Sequence, residues 1–270
     1  MNLRIILLCF LFVNSAHANP DEFENLYSQL LISYWRPAIT INGVSTTVFD
    51  YAQMKKDADQ PKSLFTQTLN ALEEVNPLQL KSKREKAFWI NAYNFAAMYL
   101  VIEHYPVDSI RSLRISLIKY PWSKKAILIG VNEYSLKQIE KDILLEKFGD
   151  PRIVFAVSCA AVSCPDRIAE PFTSEKIDYQ LDKMISNFFA NSDKGLLLNR
   201  NDKTLTLSWI LKKDMALFGD TKSGVLDFIK PYLSKETQVW LNENPVSIEY
   251  FKHDWTLNDL AQADTRTENE

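Results

Sequence analysis

Apolar residues recur at helical spacing through most of the chain and alternate only over short stretches. After Pro20-Asp21, the positions Phe23, Leu26, Tyr27, Leu30, Leu31 and Tyr34 follow the i, i+3, i+4, i+7 rule and predict an amphipathic helix. Ala38–Thr46 alternates about Asn42-Gly43, the signature of a hairpin. Helices are expected after Asp50 and after Pro61, the second ending near Asn76-Pro77. From Arg84 to His104 apolar side chains occupy nearly every face, which marks a central buried helix rather than a one-sided one. A hairpin over Ile127–Tyr134 leads to a helix with a capping box, Ser135 with Gln138, an apolar stripe of Leu136, Ile139 and Ile143, and Gly149 as its stop. Arg152–Ser158 reads as a buried strand by composition. A helix over Glu175–Ala190, a hairpin about Asn199–Lys203, three short helices (Leu211–Phe218, Val225–Leu233, Glu236–Asn242) and a last strand, Val246–Phe251, complete the pattern. There is no internal repeat and no Pro-, Gly- or Ser-rich linker. The fold class is therefore α+β: one helix-rich domain, residues 19–262, around the central helix at about 84–104, with a small sheet and hairpins. A frayed polar tail is expected at 263–270.

The first eighteen residues read differently from the rest. Arg4, the apolar run Ile5–Val13 and the A-x-A sequence Ala16-His17-Ala18 are the three parts of a signal peptide, with cleavage after Ala18. The run is too short for a membrane span, which needs about 20 residues, and Cys9 is followed by no lipid-attachment sequence. The expected product is periplasmic or secreted, with no membrane anchor left after cleavage. A formal charge of −3 gives no electrostatic footprint for nucleic acid. Only 6 glycines are present, and none of them builds G-x-G-x-x-G or G-x-x-x-x-G-K-S/T, so dinucleotide and P-loop chemistry are excluded.

The cysteines left after cleavage, Cys159 and Cys164, lie in Ser158-Cys-Ala-Ala-Val-Ser-Cys-Pro165. In an oxidising compartment they form a local disulfide, keep one reactive thiolate, or alternate between the two. As a pair without a second pair they are a poor zinc signature, because a structural site wants four ligands; no metal and no cofactor is expected. A thiol nucleophile needs a base, and the mature chain offers His104, at the end of the central helix, and His253, beside Asp254. Asn91 and Asn94 share one face of the buried helix, and a buried amide without partners costs about 1–3 kcal/mol. They either tie loops to that helix or form the polar floor of a cleft. Glu140 poses the same choice between an exposed helical position and a buried acid, and Glu85 sits within the basic run Lys81–Lys86.

With these segments in hand the chain resembles the domain of unknown function family 547, found in bacteria, plants and nematodes. The matching blocks are Phe49-Asp50-Tyr51, Lys86-Ala87-Phe88-Trp89-Ile90-Asn91-Ala92-Tyr93-Asn94, Tyr134-Ser135-Leu136 with Ile139-Glu140, Asp150-Pro151-Arg152-Ile153, Ser158-Cys159 through Cys164-Pro165, and Asp254-Trp255-Thr256-Leu257-Asn258. They extend over about residues 26–260. The resemblance implies a compact domain with a shared polar cluster at Glu85, Asn91, Asn94, Glu140 and Cys159. It also implies histidines where this chain has Val154 and Lys141, and variation at the position of Cys164, which makes Cys159 the shared group.

Three functions are open to such a chain. One is a thiol-dependent hydrolase or acyl transferase of the cell envelope, with Cys159 as nucleophile, Glu85 or Glu140 orienting or donating a proton, Asn91 or Asn94 polarising, and His104 or His253 as base. The second is a non-catalytic binding module for a small molecule, a peptide or an envelope component. The third is a thiol redox protein using Cys159 and Cys164.

Overall fold

The computed structural model describes residues 20–118 and 120–264. The expected signal peptide, 1–18, and all but the first two residues of the expected tail lie outside the described residues.

Helix α1 (Pro20–Tyr34) opens on a proline, whose fixed φ suits a first helical position, and buries Phe23, Tyr27, Leu30, Leu31 and Tyr34. Strands β1 (Trp35–Ile41) and β2 (Val44–Phe49) pair antiparallel through Asn42 and Gly43, both at positive φ (51° and 75°) as a two-residue hairpin turn requires. Asp50 caps α2 (Tyr51–Ala58) and Ser63 caps α3 (Leu64–Glu73). The second of these stops three residues short of the expected Asn76, which instead caps a 3-10 turn at Pro77–Gln79.

Helix α4 (Ser82–His104) is the centre of the molecule, with sixteen of its 23 residues buried, so it has no solvent face to speak of. Helices α1, α2 and the hairpin of β3 (Lys125–Ile129) and β4 (Asn132–Ser135) pack around it. Gly130 turns that hairpin at φ 61°, with its N–H on Glu73 O (2.8 Å); a Cβ there would stand 3.1 Å from Val75 O.

Two stretches depart from their expected form. The capping box forms as expected, Gln138 N donating to Ser135 Oγ (3.2 Å) and Ser135 N to Gln138 Oε1 (3.1 Å), but the helix that follows is a π-helix, Gln138–Leu145. The wider turn moves the buried stripe from Ile139 to Leu144 rather than Ile143, and it buries Glu140. A short α5 (Glu146–Phe148) then ends at Gly149 in the left-handed region. The expected strand at 152–158 is instead a 3-10 helix, Pro151–Phe155, followed by a turn. Asp150 accepts from Arg152 N (3.1 Å), Pro151 holds a helical φ, and Ala156 N closes on Ile153 O (2.9 Å). Apolarity on all sides reflects burial, which a helical turn satisfies as well as a strand.

Helix α6 (Ile177–Ala190) buries Ile177, Leu181, Met184, Ile185 and Phe188. Strands β5 (Leu196–Asn199) and β6 (Thr204–Leu207) pair antiparallel; after α7 (Trp209–Lys213), α8 (Lys222–Ile229) and α9 (Lys235–Glu243), β7 (Ser247–Tyr250) returns parallel to β6. The final segment then runs back across the domain. It bridges to Phe49 through Asp259 and to Ala161 through Leu257, and so ties the hairpin of β1 and β2 to the cysteine loop.

Candidate functional site

Several separate parts of the chain meet at a cavity of about 280 Å³. Helix α4 contributes Tyr93, the π-helix Glu140 and Lys141, the 3-10 helix and the turn after it Val154, Val157 and Cys159, and α7 with the post-β7 segment Trp209, Lys213, His253 and Trp255. Ser208 caps α7, which places Trp209 at its first position. Indoles form much of the wall: Trp122 and Trp209 pack edge-on against Trp255 at ring distances of 5.5 and 6.0 Å. The guanidinium of Arg111 lies 4.8 Å from the Trp255 ring.

A polar relay crosses the apolar wall. Trp122 Nε1 donates to Tyr93 Oη (3.3 Å), and Tyr93 Oη donates to Glu140 Oε2 (3.4 Å). Lys141 Nζ lies 3.1 Å from Glu140 Oε1 and 2.9 Å from Asp214 Oδ1, and Lys213 Nζ lies 3.2 Å from Asp214 Oδ2. Burial, and after it the charge of Glu140, raise the Tyr93 phenol well above its usual range, so it stays protonated as a donor. Burial alone would push the Lys141 ammonium down, but the carboxylates of Glu140 and Asp214 outweigh it and hold the group above its usual value. Basic residues around the cavity outnumber acidic ones four (Arg111, Lys137, Lys141, Lys213) to two (Glu140, Asp214).

Cys159 is half-buried at the cavity wall and is bonded to the buried Cys164. His253 Nε2 lies 4.0 Å from Cys164 Sγ. The imidazole is packed between Trp209 and Trp255, at ring distances of 5.1 and 4.2 Å, and its Nδ1 is buried without a hydrogen-bond partner. Burial, with Lys213 next, pushes its pKa down to about 4 against the opposing charge of Asp254, so the ring is neutral at pH 7. Among the described residues, Cys159, Cys164 and His253 are the His, Cys and acid group that could hold a metal, their ligand atoms lying within 4.8 Å of one another.

Asn91 and Asn94 do not line this cavity. Asn91 Nδ2 donates to Phe172 O (2.8 Å) and its Oδ1 accepts from Phe172 N (2.9 Å); Asn94 Nδ2 donates to Ala156 O (2.9 Å) and its Oδ1 accepts from Ser158 N (2.9 Å). Each amide thus closes a two-point clamp on backbone, and Asn94 holds the residue next to Cys159. Arg167 Nη2 reaches Ser158 O as well (3.4 Å). Upstream, Asp150 bonds Lys86 (3.0 Å) and both sides of the Arg152 fork (3.0 and 2.8 Å), pinning the start of the 3-10 helix to α4.

The sequence-derived residues therefore divide. Cys159, Glu140 and His253 come together at one cavity, with Lys141 and Val154 beside them. Glu85 pairs with Lys147 and lines a different cleft with Trp89 and Tyr134. His104 folds back onto its own helix, Nδ1 to Leu100 O at 2.9 Å, with Lys124 Nζ 3.4 Å from Nε2. The wall residues Arg111, Trp122, Trp209, Lys213 and Asp214 are not among the residues that sequence pattern marks out. The available signal was tryptophan at the start of a helical turn, as in Pro121-Trp122 and Ser208-Trp209.

No curated protein and no solved structure matches the chain. The matched part, residues 77–189, carries α4, the π-helix, the 3-10 helix, the disulfide loop and α6, and leaves out α7 and His253. Residues 77–189 match the family described as "Protein of unknown function, DUF547".

Proposed function

We propose that this is an exported, non-catalytic binding module whose cavity takes a small planar anion, such as an aromatic carboxylate. One observation carries the reading: Trp122, Trp209, Trp255 and Tyr93 wall a cavity of about 280 Å³ in which basic side chains outnumber acidic ones. Rigid aromatic faces bind a flat ring at low entropic cost, and a few charged groups orient it. Lys141 and Lys213 are shared between Glu140 and Asp214, so these four side chains hold one another in place along one side of the cavity. Export is supported by the tripartite N-terminus and agrees with a disulfide in the cavity wall.

Titration of the mature protein with benzoate, benzyl alcohol and benzylamine, followed by tryptophan fluorescence, tests the reading. Benzoate is expected to bind best, and to weaken as salt is raised; an alcohol or amine that binds equally well, or three ligands without effect, would refute it. Protein recovered from the extracytoplasmic fraction should begin at Asn19, and an intact Met1 terminus there would refute export.

A thiol-dependent hydrolase has one observation in its favour, the 4.0 Å approach of His253 Nε2 to Cys164 Sγ, which pairs the base with Cys164 rather than with Cys159. It requires the disulfide to open first. Iodoacetamide labelling of the reduced protein across pH tests it: a thiol that titrates near ~8.5, as an unperturbed cysteine does, removes the activated nucleophile.

A further inference from the structure

We infer that Cys159, Cys164 and His253 form a redox-gated site for one soft divalent cation, Zn²⁺. The two sulfurs hold no metal while bonded to each other, and with His253 they ligate Zn²⁺ once a dithiol donor has reduced them. This goes beyond the anion-binding reading and does not depend on it.

The first argument is placement. Four residues separate the cysteines, within the spacing that zinc sites use, and their Cα atoms are 6.0 Å apart. Tetrahedral zinc with ~2.3 Å bonds to sulfur sets its sulfurs about 3.8 Å apart, a separation that side-chain rotation supplies once the disulfide is open. The third ligand is already in range, with Nε2 at 4.0 Å from Cys164 Sγ. Sequence spacing alone shows only two ligands; the fold adds the third from 89 residues further along the chain.

The second argument is preorganisation. The cysteine loop and the His253 segment are stitched together by backbone. Val162 N donates to Thr256 O (2.9 Å), Ser163 N to Asp254 O (3.3 Å), and Asp254 N to Ser163 Oγ (2.9 Å), while Ala161 and Leu257 form an antiparallel bridge. Packing between Trp209 and Trp255 fixes the imidazole plane. The three ligands therefore sit on one rigid unit rather than on independent loops.

The third argument is ligand chemistry. Two thiolates and an imidazole select zinc over calcium or magnesium. Two cysteines and one histidine leave a fourth position, as catalytic zinc sites do, and Cys159 and His253 both border the cavity from which water or a ligand would fill it. The step balances. The dithiol donor passes two electrons and two protons to the disulfide and leaves as its own disulfide; Zn²⁺ then replaces both thiol protons, which go to solvent.

The test uses the full mature chain, oxidised or reduced under anaerobic conditions, with Zn²⁺ or Co²⁺ as probe. Native mass spectrometry should find one zinc per reduced chain and none on the oxidised chain. Zinc should protect both thiols from iodoacetamide, and Co²⁺ should give a thiolate-to-cobalt charge-transfer band. Removing a group that merely orients a metal ligand costs ~10–100-fold in affinity, so His253→Gln should weaken binding at least tenfold, and His104→Gln should leave it unchanged. A reduced chain that takes up no zinc, that binds equally well as His253→Gln, or that loses its far-ultraviolet dichroism on reduction overturns the proposal. The cobalt spectrum of the wild type decides the matter even if the variant fails to fold. Benzoate titration uses oxidised protein, so the two readings fail separately.

Discussion

Helix α4 handles buried polarity in two ways. Toward the 3-10 helix and Phe172 it presents Asn91 and Asn94, whose amides each meet two backbone groups at 2.8–2.9 Å. On another face it presents Tyr93, whose hydroxyl has contacts of 3.3 and 3.4 Å and borders an open cavity. Saturated short hydrogen bonds specify a backbone path; long ones beside a cavity leave capacity for something else. The asparagines build the site and the phenol belongs to it.

The largest test of that contrast is Asn94→Ala. It strips the buried Ala156 O and Ser158 N of their partner, and about 2–4 kcal/mol of stability should be lost in urea denaturation. A loss below ~1 kcal/mol would mean that the clamp does not hold the cysteine loop. Next comes the charged anchor. Burial pushes the Asp150 carboxyl up, but its hydrogen bonds from Arg152 and Lys86 outweigh this and hold it below the usual 3.8. A depressed acid contributes its stability above the unfolded value and loses it as pH falls through the folded one. Acid unfolding should therefore steepen below pH ~3.8. Asp150→Asn should cost about 1–3 kcal/mol at neutral pH and flatten that limb; an unchanged acid limb would discount the anchor.

On the cavity side the effects should appear in binding rather than in folding. Trp209→Ala should raise the Kd for benzoate about tenfold, or ~1.4 kcal/mol, and a Kd that stays put would place the ring elsewhere. Tyr93→Phe should be the mildest change, below ~1 kcal/mol in stability, because the bonds it removes are long. If Tyr93→Phe proved as costly as Asn94→Ala, the distinction between the two faces of α4 would disappear.

Much of this architecture was legible from periodicity and punctuation. The Asn42-Gly43 turn, the Ser135/Gln138 capping box and the all-round burial of α4 are local, and short-range rules read them. The run at 152–158 resembles a strand in composition yet folds as a 3-10 helix and turn, because a fully buried apolar segment carries no period. The π-turn that buries Glu140 is likewise a tertiary choice, since the capping box ahead of it would serve an α-helix equally well. In the site, Cys159 and Glu140 could be picked out as unusual residues in apolar surroundings. That His253 joins them while His104 does not is decided by the return of the chain after β7, a long-range event with no local signature. Trp122, Trp209 and Trp255 lie far apart in sequence and become one wall only in the fold.

A co-crystal of the protein with benzoate would read out the occupant of the cavity directly. The benzoate ring is expected within the cavity, about 4.5–7 Å from the Trp209 or Trp255 ring centre in stacked or edge-on geometry, with its carboxylate toward the basic side chains. A benzoate seated outside the cavity, or a cavity closed by its own side chains at saturating ligand, would contradict that placement.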